Sequence, residues 1–361
     1  MMKRRLLAIL SLILVAVMIF SLPSCGKKKT TDNSKESETQ ASDIVGNGNN
    51  DENNGAVNPP SDDELVNNGS ENNGNQDNGN LDDNDDDNED DNTDDKEEEF
   101  TVTEVEPVRN GNKVAFGLYP QSKVINSSLI SALDTKAKDW SFANELWYTD
   151  VVKDNVKYRG VSESEGGAAT WFKYEPISWT IIDENNGNAL IFCNTIIDIL
   201  SYASSSNNYA DSTIRAWLNY DFINTAFVEV QQELILTTEV DNGKESTGYS
   251  NPKFTCVNTF DKVFLLSRAD VKNSDYGFKA TSNSTLEESR LKNITAYAIA
   301  QINGGYDASN GAWWWLRTPA PHAEDKTRAD LAHTIKINGI LNNGTSDQTT
   351  GGVVPAMWIE L

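Results

Sequence analysis

Trp313-Trp314-Trp315-Leu316-Arg317-Thr318-Pro319 is the stretch on which the fold turns. Each indole carries up to about 250 Å² of largely apolar surface, so three in a row cannot all face water at low cost. In an extended chain the side chains alternate, which sends Trp313, Trp315 and Arg317 to one face and Trp314 and Leu316 to the other. Both faces then need cover, and the segment reads as a central strand. Pro319 lacks the amide hydrogen of a ladder donor and is expected to end the pairing and open a loop.

Working outward from that strand, the C-terminal side offers a strand from His333 to Ile337, a turn around Asn342-Asn343-Gly344 and a closing strand over 353–359. Upstream, Thr285 and Glu288 form a capping box for a helical region holding Leu291, Ile294 and Ala298, and Lys262 to Leu266 reads as a strand. Asp211-Ser212-Thr213 caps a helix whose Ile214, Trp217 and Leu218 share a face, and Val230 to Leu236 continues helical. The clearest hairpin alternates Ile177, Trp179 and Ile181, turns at Asn185-Asn186-Gly187-Asn188 and returns from Ala189 to Cys193, since Asn and Gly accept the positive φ of such turns. Asn126 to Leu133 is a short capped helix, and Lys113 to Tyr119 is a strand expected to stop at Pro120. Strands at both ends with helices between predict a single α+β domain over 101–361, with the terminal strands paired to each other.

The chain before this domain differs in kind. Met1-Met2-Lys3-Arg4-Arg5 precedes an uncharged apolar run from Leu6 to Leu22, the grammar of an export signal over 1–24. Its end, Leu22-Pro23-Ser24-Cys25-Gly26, resembles the bacterial lipoprotein box, which implies lipidation at Cys25 and a domain held outside the cytoplasm on the bacterial cell membrane; an uncleaved anchor is the alternative. Residues 25–100 are rich in Asn, Asp, Glu, Gly and Ser, with too few apolar residues to offset ordering entropy, so a disordered tether is expected. Residues 26–100 contain 24 acidic and 5 basic residues, net −19 of the chain's −25. The acidity therefore belongs to the tether, which even as a neutral flexible chain would average on the order of 50 Å end to end. The densest run, Asp82 to Glu99, lacks calcium-loop spacing and reads as solvated charge.

The ordered motifs Phe116-Gly117-Leu118-Tyr119-Pro120-Gln121, Trp171-Phe172-Lys173-Tyr174-Glu175-Pro176-Ile177-Ser178-Trp179, Ser212-Thr213-Ile214-Arg215-Ala216-Trp217-Leu218-Asn219, Asp261 to Ser267, Trp314 to Pro319 and Gly352 to Ile359 resemble a family of uncharacterised bacterial surface domains of unknown function. Val354 departs from the family pattern, which usually has arginine there. The order of motifs is also similar to the C-type-lectin-like architecture, in the branch that includes formylglycine-generating enzymes. That resemblance implies paired first and last strands and binding through long loops on one side.

Candidate chemistry is sparse. His322 and His333 are not at a metal-ligand spacing and read as polar surface or edge residues. Cys193 and Cys256 can be buried free thiols or a disulfide, which would stabilise by about 4 kcal/mol on the chain-entropy model; the formylglycine-generating resemblance adds a copper-dependent catalytic pair as a third reading. No carboxylate pair stands out by spacing, no phosphate loop or dinucleotide fingerprint appears, and the sequence implies neither cofactor nor metal. The negative domain disfavours nucleic acid. Binding is the expected role, with a glycan, a cell-wall polymer or a surface protein as partner. Its candidate residues are Trp313, Trp315 and Arg317 on one strand face, Tyr306 and Asp307 in the approach to it, and His322 in the exit loop. An extracytoplasmic enzyme acting on envelope polymers or carbohydrate, and a structural envelope component, are the alternatives.

Overall fold

A computed structural model describes residues 98–361 except 280–285, 303–311, 323 and 326. The expected export signal, Cys25, nearly all of the tether, Thr285, Tyr306 and Asp307 lie outside the described residues. Among the described residues, the Glu98 carboxylate pairs with Lys136 at 2.8 Å and accepts the Asp154 amide at 2.6 Å.

The architecture is sheet-rich α+β. Its spine is the strand Thr170–Asn185, in the middle of a nine-stranded sheet. Lys113–Lys123 pairs along one edge of it, while Val156–Ser162 and Asn188–Cys193 share the other. Ile177 and Trp179 point into the core and are fully buried, as their alternation predicts. The hairpin turn is set by Asn186 at φ 53° and Gly187 at φ 85°, the geometry that right-twisted strands accept.

Prolines do not end strands here. Lys113–Lys123 runs through Pro120 and Trp314–Ala320 through Pro319. Each lies beside a register shift, where the ladder is already interrupted and a missing donor costs little. Another shift in Lys113–Lys123 falls at Gly117, whose φ is +73° and whose added Cβ would stand 2.3 Å from the Phe227 ring. Only glycine fits both conditions.

The second large sheet has five strands, ordered Leu341–Thr345, Leu331–Ile335, Trp314–Ala320, Gly352–Val353 and Asp198–Ile199. The Trp strand is its centre. At its bulge the Arg317 amide leaves its own sheet and donates to the Leu266 carbonyl at 3.0 Å, joining the strand to the edge of the nine-stranded sheet. The expected turn at Asn342-Asn343-Gly344 is instead part of a strand, and the chain reverses at Asn338-Gly339, where Gly339 has φ +76°.

The terminal strands do not pair with each other. Pro355–Glu360 joins Asn188–Cys193, which leaves it two strands away from Lys113–Lys123 in the same sheet. The expected helical region after Thr285 is also corrected. Glu288–Arg290 is a single 3-10 turn, Asn293–Ile294 is extended, and the helix begins only at Ala296, capped by the Thr295 hydroxyl. Helices at Ser127–Lys136 and Thr213–Trp217 stand where their Asn126 and Ser212 caps place them. The latter continues into a turn of π-helix over Leu218–Phe222. No helix among the described residues is long and apolar enough to cross a membrane.

Candidate functional site

The outer face of the five-stranded sheet is built on the Trp strand. Trp315 is fully buried, and its indole Nε1 donates to the Leu200 carbonyl at 2.9 Å. An added Cβ at Gly351 would lie 1.9 Å from that nitrogen, so the chain crosses the indole where only glycine can. Trp313 stands edge-to-face on Trp315 with centroids 4.7 Å apart, on the same strand face as its spacing requires. Its own ring is half-buried and forms one wall of a shallow groove of about 250 Å³.

Thr334, Lys336 and Ile337 from one neighbouring strand and its turn, and Asn342, Asn343, Gly344 and Gln348 from the next, complete the groove. Asn342 Nδ2 donates to the Asn343 carbonyl at 3.2 Å. The exposed side-chain amides of Asn343 and Gln348 make no hydrogen bond to any described residue. An indole edge and face beside free amides can take an apolar C–H surface and a set of hydroxyls together. Among the described residues of this lining Lys336 is the one ionisable group, and they include neither a carboxylate pair nor a nucleophile–base pair.

The structure separates Arg317, Trp315 and His322 from this groove. Arg317 is 5 % exposed; Nη1 donates to the Leu265 carbonyl at 2.8 Å and to Asp270 Oδ2 at 2.7 Å, and Nη2 to the Asp241 carbonyl at 3.2 Å. Its guanidinium thus braces the junction of the two sheets rather than reaching outward. Trp315 is likewise core, and Trp314 donates Nε1 to the Arg290 carbonyl at 3.2 Å on the opposite face. His322 holds its own loop, accepting the Glu324 and Asp325 amides at Nδ1, 3.3 and 3.0 Å away.

His333 is the middle residue of Leu331–Ile335 and is buried. Its Nδ1 faces the Asn342 carbonyl at 3.1 Å and its Nε2 the Tyr249 hydroxyl at 2.9 Å. A carbonyl only accepts, so Nδ1 carries the proton and Nε2 receives the tyrosine donor. Burial, with Arg268 and Lys272 nearby, brings its pKa down to about 4 and keeps it neutral.

Cys193 and Cys256 are free thiols, so the disulfide expectation is corrected. Burial pushes both thiols above their ordinary pKa, the reverse of an activated cysteine. No group of three or more His, Cys, Asp or Glu among the described residues is placed to hold a metal ion.

The titratable cluster that the sequence reading missed lies where the two sheets meet. Tyr119 donates its hydroxyl to Asp198 Oδ2 at 2.5 Å, and the Ile199 amide donates to Oδ1 at 2.7 Å. Burial outweighs these bonds and raises Asp198 to about 6. Nearby, burial would raise Asp150 too, but Arg159 and Lys157 override it and bring it down to about 2. Carboxylates pushed apart in this way are a mark of acid–base pairs. Asp198, Tyr119 and Tyr297 are nevertheless sealed, at 5 %, 2 % and 2 % exposure, which suits a structural network better than a reaction site. Its signal in the sequence was a lone acid inside the apolar run from Ala189 to Ala203.

A second aromatic groove, about 540 Å³, lies beside the π-helical turn and is lined by Trp217, the exposed Tyr220, Asn144, Ser201, Thr213 and Asp221 among others. π-Helical turns recur at functional sites, which makes this groove the rival of the Trp313 groove.

Neither the curated proteins nor the solved structures contain a match to this chain. Residues 186–361, which hold the Trp313 groove and the whole five-stranded sheet, match the model of a family described as a domain of unknown function (DUF6273), in keeping with the uncharacterised domain that the motifs resemble.

Proposed function

We propose that this chain is a bacterial surface lipoprotein whose folded domain binds a glycan or cell-wall polymer through the Trp313 groove. The observation that carries the reading is the braced, half-buried indole of Trp313 beside the free amides of Asn343 and Gln348. A sugar ring offers the matching pair of surfaces, C–H groups on its face and hydroxyls on its edge. Trp315 behind the ring fixes its orientation, which limits the entropy lost on binding.

Trp313→Ala is expected to weaken glycan binding by about 2 kcal/mol, roughly thirtyfold, as for an aromatic anchor. Gln348→Ala, at an exposed position where stability should change by less than about 0.5 kcal/mol, is expected to weaken it less. Calorimetry against a panel of glycans and wall fragments checks both, with Trp217→Ala as the rival-groove control. Loss confined to Trp217→Ala would move the site to the groove beside the π-helical turn. A parent protein that binds no member of the panel would remove the glycan reading and leave a surface protein as the partner.

The lipid anchor rests on the Leu22-Pro23-Ser24-Cys25-Gly26 segment, and the acidic tether gives the domain reach into a wall. Cys25→Ser is expected to abolish incorporation of labelled palmitate and release the chain from the membrane fraction; retention of both would refute lipidation at this residue. The C-type-lectin-like relationship is supported by the order of the motifs and the α+β class. The two intervening strands between the terminal strands count against it.

A further inference from the structure

On the nine-stranded sheet, away from the Trp313 groove, a groove of about 720 Å³ opens between the Thr170–Asn185/Asn188–Cys193 hairpin and residues 275–278. Two lysines line it. Lys113 Nζ donates to Thr180 Oγ1 at 2.6 Å and reaches Asn194 Oδ1 at 3.5 Å. Lys292 Nζ donates to the Cys193 carbonyl at 2.6 Å and sits 3.8 Å from the centroid of the Phe192 ring.

Neither ammonium makes an ion pair with a described carboxylate, although residues 101–361 hold 31 acidic residues against 22 basic ones. Lys136, Lys153 and Lys157 all find one. Asp275 lines the same groove without pairing to either lysine. The polar atoms around the lysines are a hydroxyl, an amide oxygen and a carbonyl, which accept hydrogen bonds but do not neutralise charge. Two like charges in one groove repel, and Lys292 is also partly desolvated; an anion between them would relieve both costs.

We propose that this groove binds the acidic group of a ligand, a carboxylate or a phosphate ester, between Lys113 and Lys292. The alternative use of these lysines is to prop the strand carbonyls and hydroxyls they already touch. Burial, with Lys113 adding to it, brings Lys292 down to about 8. Among the described residues, the other ionisable groups around it are Lys113, the Cys193 thiol, Asp275 and Tyr276; burial raises both the thiol and the Tyr276 phenol. Lys292 is thus the group expected to lose its proton as pH rises through 8, and anion affinity should fall with it.

The test titrates the full chain with glucuronate, glycerol phosphate and, as the neutral control, glucose, following Lys292 by NMR of its side-chain nitrogen. At least one anion should shift the Lys292 resonance, and glucose should leave it unmoved. Bound anion should raise the Lys292 pKa, a response that a merely structural lysine would not give. Lys113→Gln and Lys292→Gln should each weaken binding by at least about tenfold, the effect of losing a charge-assisted hydrogen bond. Lys113 is exposed, so its variant carries the test even if Lys292→Gln fails to fold. Glucuronate alone binding would identify a carboxylate ligand, and glycerol phosphate alone a phosphate ester. Lys292 lines this groove and not the Trp313 groove, so its response separates failure here from failure of the glycan reading. The proposal is overturned if neither anion binds at millimolar concentration, or if both lysine variants bind as the parent does.

Discussion

Arg317→Met is expected to destabilise the protein by about 3–5 kcal/mol, the cost of leaving one partner of a buried ion pair alone. The guanidinium is 5 % exposed and ties three separate pieces of chain together through the Leu265 carbonyl, the Asp241 carbonyl and the Asp270 carboxylate. Burial by itself would raise the Asp270 pKa, but Arg317 overrides it and holds the carboxylate below its usual value. Without the guanidinium, Asp270 keeps the Ser267 amide at 2.7 Å and loses its countercharge. Urea unfolding checks this, and Asp270→Asn combined with Arg317→Met should cost less than the sum of the single changes. A loss below about 1 kcal/mol for Arg317→Met would contradict the bracing role.

The pH dependence of stability should be nearly level from pH 4 to 6.5 because two buried groups oppose each other there. Asp198 has a folded pKa of about 6 against an ordinary 3.8, so its stabilising contribution is full at low pH and is lost as pH rises through 6. His333 has a folded pKa of about 4 against an ordinary 6.5, so its contribution is full at higher pH and is lost as pH falls through 4. Each shift of about two units corresponds to about 3 kcal/mol. Asp198→Asn should therefore uncover a stability that climbs with pH across this window, and His333→Gln one that falls. In the first variant the Ile199 amide still has an acceptor, and the new amide can donate to Tyr119. Denaturant midpoints at several pH values read both slopes; two variants as level as the parent would refute the opposition.

What was legible in the sequence was local. The Ile177–Cys193 hairpin follows from period-two burial and an Asn-Gly turn, and the helix after Ser212 from its cap, so neighbours in sequence sufficed. Trp313 and Trp315 share a face because alternation along a strand is also local. The misreadings came from non-local partners. Pro120 and Pro319 look like strand ends until a partner strand supplies a bulge beside them. Asn342-Asn343-Gly344 has turn composition, yet five consecutive residues pair with Leu331–Ile335 and hold it extended. Arg317 seemed available to a ligand because Asp270 lies 47 residues away in the chain. Trp313 packs edge-to-face on Trp315 yet stays only half-buried, which spacing alone does not reveal.

The most direct test of the account is to map a bound oligosaccharide by chemical-shift perturbation. The Trp313 groove predicts the largest shifts at the Trp313 indole N–H and the side-chain amides of Asn342, Asn343 and Gln348, with the buried Trp314 indole unmoved. Shifts centred on Trp217 and Tyr220, with the Trp313 indole silent, would contradict it.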